Sequence, residues 1–157
     1  MDLILWRHAE AEELPDGVAD ARSDLERKLT SRGDKQAARM ADWLDRQLPG
    51  SARILASPAR RCEQTALALG RKFKTRDELA PGATPESLLE AVQWPLARVP
   101  VLVIGHQPTL GQTVARLLGL VEADCAFKKG AVWWLRTRER DGQMQAVVVT
   151  VQSPDFL

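Results

Sequence analysis

At 157 residues, with 45% hydrophobic and 27% charged side chains, the chain has the size and composition of one globular domain, domains commonly holding about 100 to 200 residues. Its 22 basic and 21 acidic residues leave a formal charge of +1, which gives no reason to expect nucleic acid or a membrane surface as partner; any positive potential must be local. No run nears the roughly 18 apolar residues of a membrane span, and Cys62 and Cys125 stand alone, with no CxxC pair and no secretory segment before the first strand, so a reduced, cytoplasmic setting is expected.

Leu3, Ile4, Leu5 and Trp6 form a short apolar run that stops at Arg7-His8-Ala9-Glu10. Such a run predicts a buried, central strand and places Arg7 and His8 at its C-terminal end, where open α/β sheets bind ligands. Residues 10–26, rich in Asp, Glu, Gly and Ala without a sustained period, are expected to form an exposed loop. Thr30 or Ser31 then caps a helix in which Ala37, Met40, Ala41, Leu44 and Leu48 recur at helical spacing, ended by Pro49-Gly50. Ile54 to Ala56 is a second short strand, and Ser57-Pro58 turns into a helix with Pro58 in its first turn and Ala66, Leu69, Gly70 and Phe73 on one face.

A brief extended piece over 74–78 and a Pro81-Gly82 turn precede a helix started by Thr84-Pro85-Glu86, with Leu88, Leu89 and Val92 inward. Val101 to Ile104, mostly β-branched, is the most apolar strand and is predicted to be central. Pro108 begins the next helix, with Leu110, Val114, Leu117 and Leu118 on its core face and Gly119 near its end. Residues 131–136 and 146–151 flank Asp141-Gly142, a hairpin signal, and of the adjacent Trp133 and Trp134 one should face the core. Strands alternating with helices before a terminal hairpin predict an α/β fold, a mostly parallel central sheet with helices on both faces.

Three strand ends carry related chemistry: RHAE after the first, SPARRCEQT (Ser57 to Thr65) after the second, and GHQP (Gly105 to Pro108) after the strand at 101–104. Their order resembles the signature of the histidine phosphatase superfamily, also called phosphoglycerate mutase-like: strand-RHG, S-x-x-x-R-x-x-Q-T, strand-[GS]-H-x-P. The resemblance implies the three-layer phosphoglycerate mutase-like fold, with residues 1–157 as a single domain. It further implies that Arg7, Arg61 and His106 form the phosphate pocket and that His8 is the histidine that becomes phosphorylated. Gln64-Thr65 sets the register that selects Arg61 over Arg60, which is expected to face solvent. Ala9 stands where the family usually has Gly, and is small enough to let the backbone approach phosphate. Short length, RHAEA, the Leu29-Thr30-x-x-Gly33 segment, SP-x-x-R-x-x-QT and GH-x-P are together similar to the SixA subfamily of phosphohistidine phosphatases, over roughly residues 1–120.

A transferring phosphoryl group keeps negative charge on its oxygens, so cationic donors must converge on it, and the Arg fork can bind two oxygens at once. Arg7, Arg61 and His106, with backbone N–H groups at the helix starts after Ser57 and Gln107, can supply them. His8 is the remaining special residue. As nucleophile its imidazole must be neutral, which cationic neighbours favour, with its second nitrogen held by an acceptor such as a backbone carbonyl. His8 takes the phosphoryl group and water removes it.

The family's larger members carry a helical lid with a Glu as general acid, and here only about two dozen residues separate Arg76 from Pro100, which leaves no room for one. Glu78 is the nearest acid by order, with Glu86 and Glu10 behind it. A phosphohistidine leaving group depends less on such an acid than an alkoxide does, and a lidless pocket suits a phosphate displayed on another protein. Phosphohistidine phosphatase is therefore the expected activity. The alternatives are a small-molecule phosphomonoester phosphatase and a phosphate-recognition module without turnover, which would have no need of His8. No metal or cofactor is expected, since two His and two isolated Cys do not make the ligand set of a zinc site.

Overall fold

The computed structural model describes residues Met1–Leu157. β1 (Asp2–Arg7) is followed by α1 (Ala21–Glu26) and α2 (Ser31–Gln47), and β2 (Arg53–Ala56) by α3 (Arg60–Leu67). After the two-residue β3 (Lys74–Thr75) come α4 (Pro85–Ala91), β4 (Val101–Gly105), α5 (Thr109–Leu118), β5 (Val132–Arg140) and β6 (Gln143–Gln152). The sheet has the order β3-β2-β4-β1-β5-β6, parallel from β3 to β1 and antiparallel at β5 and β6. The two most apolar strands, β1 and β4, take the central places that their sequences predict.

Alternation along the strands divides the core. Ile4, Trp6, Ile54, Ala56, Leu102 and Ile104 face one layer, where Met40, Ala41 and Leu44 of α2 and Cys62 and Ala66 of α3 cover them. Leu3, Leu5, Leu55, Val101 and Val103 face the other, under Leu88 of α4 and Leu110 and Val114 of α5. Each fully buried side chain of this size contributes about 1.5–3 kcal/mol, which fixes β1 and β4 rigidly beneath whatever their C-terminal ends carry.

The helix ends follow local chemistry. Thr30 Oγ1 accepts from Gly33 N at 3.0 Å to start α2, Thr84 Oγ1 accepts from Ser87 N at 3.1 Å to start α4, and α5 ends on Gly119 at φ 64°. At the hairpin, Asp141 and Gly142 adopt φ 52° and 75°, the left-handed pair that a two-residue turn requires. Its strands run beyond the apolar signal, pairing Thr137 with Ala146 and Arg140 with Gln143.

Three local expectations need correction. Residues 10–26 are not all loop: Asp20 Oδ1 accepts from Ser23 N at 2.8 Å and starts α1, which buries no residue and so shows no apolar period. Pro58 lies ahead of α3 rather than in its first turn, and the helix stops at Leu67, so Phe73 packs on the core from the connection that follows Gly70 at φ 71°. The extended piece covers only Lys74–Thr75, and Asp77–Leu79 closes as a 3-10 turn. No helix is long and apolar enough to cross a membrane.

Candidate active site

Because β1 and β4 are parallel neighbours with Arg7 opposite Gly105, the residues that follow them leave the sheet side by side. His8 N donates to Gly105 O at 3.1 Å, and the rings of His8 and His106 lie 5.2 Å apart between centroids. On the far side of β4, Ser57 N donates to Ile104 O at 3.0 Å, which brings in the segment carrying Ser57 and Arg61. A pocket of about 230 Å³ results, lined by Arg7, His8, Arg61, His106 and Gln107, with Glu13, Arg27 and Lys129 from neighbouring loops. Larger surface grooves exist, such as one between Ala52 and Lys74, but none gathers histidine.

His8 Nδ1 sits 2.8 Å from Ala9 O. A carbonyl can only accept, so Nδ1 carries the proton and Nε2 keeps its lone pair. Burial pushes the pKa of His8 down to about 4, helped by Arg61, Arg7 and Arg27 against the bond to Ala9, so the ring is neutral at ordinary pH. For His106, Nδ1 faces Arg61 Nη2 at 3.4 Å, and Nε2 lies 2.7 Å from Ser57 Oγ and 3.4 Å from Cys62 Sγ. Burial, then the charges of His8 and Arg61, lower its pKa to about 3. The Cys62 thiol, wholly buried, is pushed up to about 12 and is inert as a nucleophile.

The two motif arginines of the pocket are each anchored to the backbone of another segment. Arg7 Nη1 donates to Phe127 O at 2.7 Å; Arg61 Nη1 donates to Asp24 O at 2.6 Å and Nη2 to Asp24 Oδ2 at 3.1 Å. The Nε atoms of both are buried without an acceptor. An unsatisfied buried donor costs about 1–3 kcal/mol, and both belong to guanidinium groups that line the pocket.

Residues of the three motifs that stay out of the pocket brace it. Thr65 Oγ1 accepts from Ala9 N at 3.2 Å and donates to Arg61 O at 2.8 Å, while Gln64 Oε1 accepts from Leu29 N at 2.7 Å. Thr30 Oγ1 donates to Glu10 Oε1 at 2.9 Å, and Gln36 Oε1 accepts from Glu10 N at 3.0 Å. The Gln107 side chain is committed too: its Nε2 donates to Cys125 O at 2.9 Å and its Oε1 accepts from Gly111 N at 2.7 Å. What Gln107 can offer an anion is its backbone N–H, which has no acceptor within the protein. A side chain on Gly111 would strike the Cys125 carbonyl, so glycine is required for this loop to close on α5.

Arg7, His8, Arg61, His106 and Gln107 thus meet as predicted, and Arg60 is exposed as predicted. The acids do not follow chain order. Glu78 is exposed on the 3-10 turn, outside the pocket lining, and bonded to Arg76 at 3.1 Å; that bond holds its carboxyl below the usual range, the wrong direction for a proton donor. Glu86 pairs with Arg116 on another surface, and Glu10 is bound by Thr30. The carboxylate that lines the pocket is Glu13. Glu13, Asp24, Arg27 and Lys129 were not legible, because they arrive from loops and a short exposed helix that carry no hydrophobic period. No three His, Cys, Asp or Glu side chains converge as a metal site needs.

Comparison with known proteins identifies the family and the fold. The model of the histidine phosphatase superfamily (branch 1) matches residues 3–83, just over half of the chain. Phosphohistidine phosphatase SixA of Escherichia coli (strain K12) is 34% identical over 125 residues, 74% of each chain. A SixA structure from Agrobacterium tumefaciens superposes with a TM-score of 0.78 at 25% identity, covering 98% of this chain and 97% of that one. The structure of the protein histidine phosphatase SixA complexed with tungstate gives 0.74 at 28% identity, covering 99% of both. With motifs, sheet order and pocket in agreement, the chain belongs to the histidine phosphatase superfamily, branch 1, as a phosphatase of the SixA type.

Proposed function

We propose that this protein removes phosphate from protein phosphohistidine through a phosphorylated intermediate on His8. The observation that carries the proposal is the His8 tautomer: Nδ1–H fixed on Ala9 O at 2.8 Å leaves Nε2 as the attacking lone pair in a pocket lined by Arg7 and Arg61. Nε2 attacks phosphorus as the substrate's P–N bond breaks, and the substrate ring, protonated at its other nitrogen, departs as neutral imidazole. Arg7, Arg61, the Gln107 N–H and His106 take the charge on the phosphoryl oxygens. His106 donates to them only when protonated at Nδ1, which a bound dianion promotes.

The phosphorylated His8 retains its Nδ1 proton and is therefore a phosphoimidazolium. Water then attacks phosphorus, the Nε2–P bond breaks, His8 leaves as neutral imidazole, and the proton of water goes to solvent or to phosphate. Neither step needs a strong protein acid, which accords with Glu78 lying outside the pocket. Residues 1–157 serve as one domain without a helical lid, leaving the pocket open to a phosphohistidine displayed on another protein. A cytoplasmic setting accords with Cys62 and Cys125 both being free thiols.

Phosphate release is to be measured from a phosphohistidine peptide, a phosphoserine peptide and sugar phosphates, with wild type and His8→Ala. Preferential use of phosphohistidine, abolished by His8→Ala, supports the proposal. Preference for sugar phosphates overturns the substrate class, and binding of phosphate esters without any turnover overturns catalysis.

A further inference from the structure

Arg61 is the most buried of the three arginines that line the pocket, 4% exposed, and it is bonded from outside the three motifs. A guanidinium has an end edge, formed by Nη1 and Nη2, and a side edge, formed by Nε and Nη2. Asp24 occupies the end edge twice, through its backbone carbonyl on Nη1 at 2.6 Å and its carboxylate on Nη2 at 3.1 Å. The side edge meets no carbonyl or carboxylate: Nε is buried and unsatisfied, and Nη2 lies 3.4 Å from His106 Nδ1, on the side of the second pocket histidine. The other oxygen of the same carboxylate, Oδ1, accepts from Arg27 Nη1 at 3.1 Å, and Arg27 also lines the pocket. Arg27 is anchored further by Nε donating to Glu12 O at 2.7 Å.

We infer that Asp24 is a positioning residue for the phosphate site, one carboxylate that turns the Nε edge of Arg61 into the pocket and holds Arg27 at its mouth. α1, which buries nothing, is on this account kept folded to carry Asp24; its cap at Asp20 and the Asp24 bonds are what fix it. Two effects of opposite sign bear on the outcome. The carboxylate repels an incoming phosphate, which would weaken binding, yet it also sets the side-edge geometry that lets Arg61 bind two oxygens in parallel. Bidentate geometry is the stronger effect, because two charge-assisted bonds depend on it and the negative charge of Asp24 is already balanced by two guanidinium groups.

This inference rests on the proposed phosphate site but not on phosphohistidine being the substrate, so the first readout is the affinity for inorganic phosphate by calorimetry. Asp24→Ala should weaken it about tenfold or more, the equivalent of one charge-assisted hydrogen bond, and Asp24→Glu should recover most of the loss. On the phosphohistidine peptide, kcat/KM of Asp24→Ala should fall about 10- to 100-fold, as misplacement of a catalytic contact does. Asp24→Asn, which keeps an acceptor of the same size and the backbone bond, guards against a folding defect and should fall between Ala and Glu. Phosphate affinity of a folded Asp24→Ala equal to or above wild type overturns the inference, and so does a loss that Asp24→Glu fails to recover. A wild type that binds phosphate but does not hydrolyse phosphohistidine counts against the proposed function alone.

Discussion

Arg7 and Arg61 differ from four other arginines of the chain in what their Nε atoms meet. Arg27 Nε donates to Glu12, Arg71 to Asp45, Arg76 to Glu78 and Arg136 to Asp2, whereas in Arg7 and Arg61 the same atom is buried with no acceptor. A lysine placed there keeps the charge but loses the planar edge that can hold two phosphoryl oxygens. Arg7→Lys and Arg61→Lys should each lower kcat/KM by about 100-fold or more, the scale of a lost transition-state donor, while Arg60→Lys and Glu78→Gln leave it unchanged. Steady-state kinetics on a phosphohistidine peptide decides this, and a comparable loss at Glu78 would restore the acid that the geometry denies.

At the scale of elements, the pocket is a junction of strand ends clamped by side chain to backbone bonds. Thr65 on α3 takes the Ala9 amide that follows β1 and the carbonyl of Arg61 on its own helix. Thr65→Val keeps the shape and strips both bonds, leaving a buried amide unsatisfied. It should cost about 1–3 kcal/mol in urea unfolding and reduce kcat/KM through the displaced His8 loop; unchanged stability would show that the clamp does not hold. This junction explains how much could be read from sequence. β1, β4 and α2 were legible because Leu3 to Trp6, Val101 to Ile104, and Ala37 to Leu44 carry strong apolar patterns, whereas Arg7, His8, Arg61 and His106 were legible through the resemblance of three motifs, in order, to the histidine phosphatase signature. α1 was not, since none of its residues is buried. Glu13 was not, since proximity in space, not chain order, makes it line the pocket, and the same fact removes Glu78 from it.

For the whole molecule, a formal charge of +1 coexists with a pocket lined by Arg7, Arg27, Arg61 and Lys129, so positive potential is concentrated at one end of the sheet. Its two histidines also set a pH dependence. Both titrate near 6.5 when unfolded, and burial lowers them to about 4 for His8 and about 3 for His106 in the fold. Between these limits the unfolded chain binds more protons than the native one, so native stability is full above about pH 6.5 and is lost as pH falls towards 4. Thermal unfolding in buffers free of phosphate should show Tm falling across that interval, and His106→Gln should flatten the slope. A Tm independent of pH there would mean that the histidines are solvated rather than buried. Phosphate in the buffer should raise Tm in wild type by ligand linkage.

The most direct test of the account is to trap the enzyme during turnover of a phosphohistidine peptide, quench in alkali, and locate the phosphoryl group by mass spectrometry. The account predicts a single phosphorylated residue, His8, bonded at Nε2 and absent from His8→Ala. Turnover that proceeds with no phosphorylated His8, or that survives His8→Ala, would contradict it.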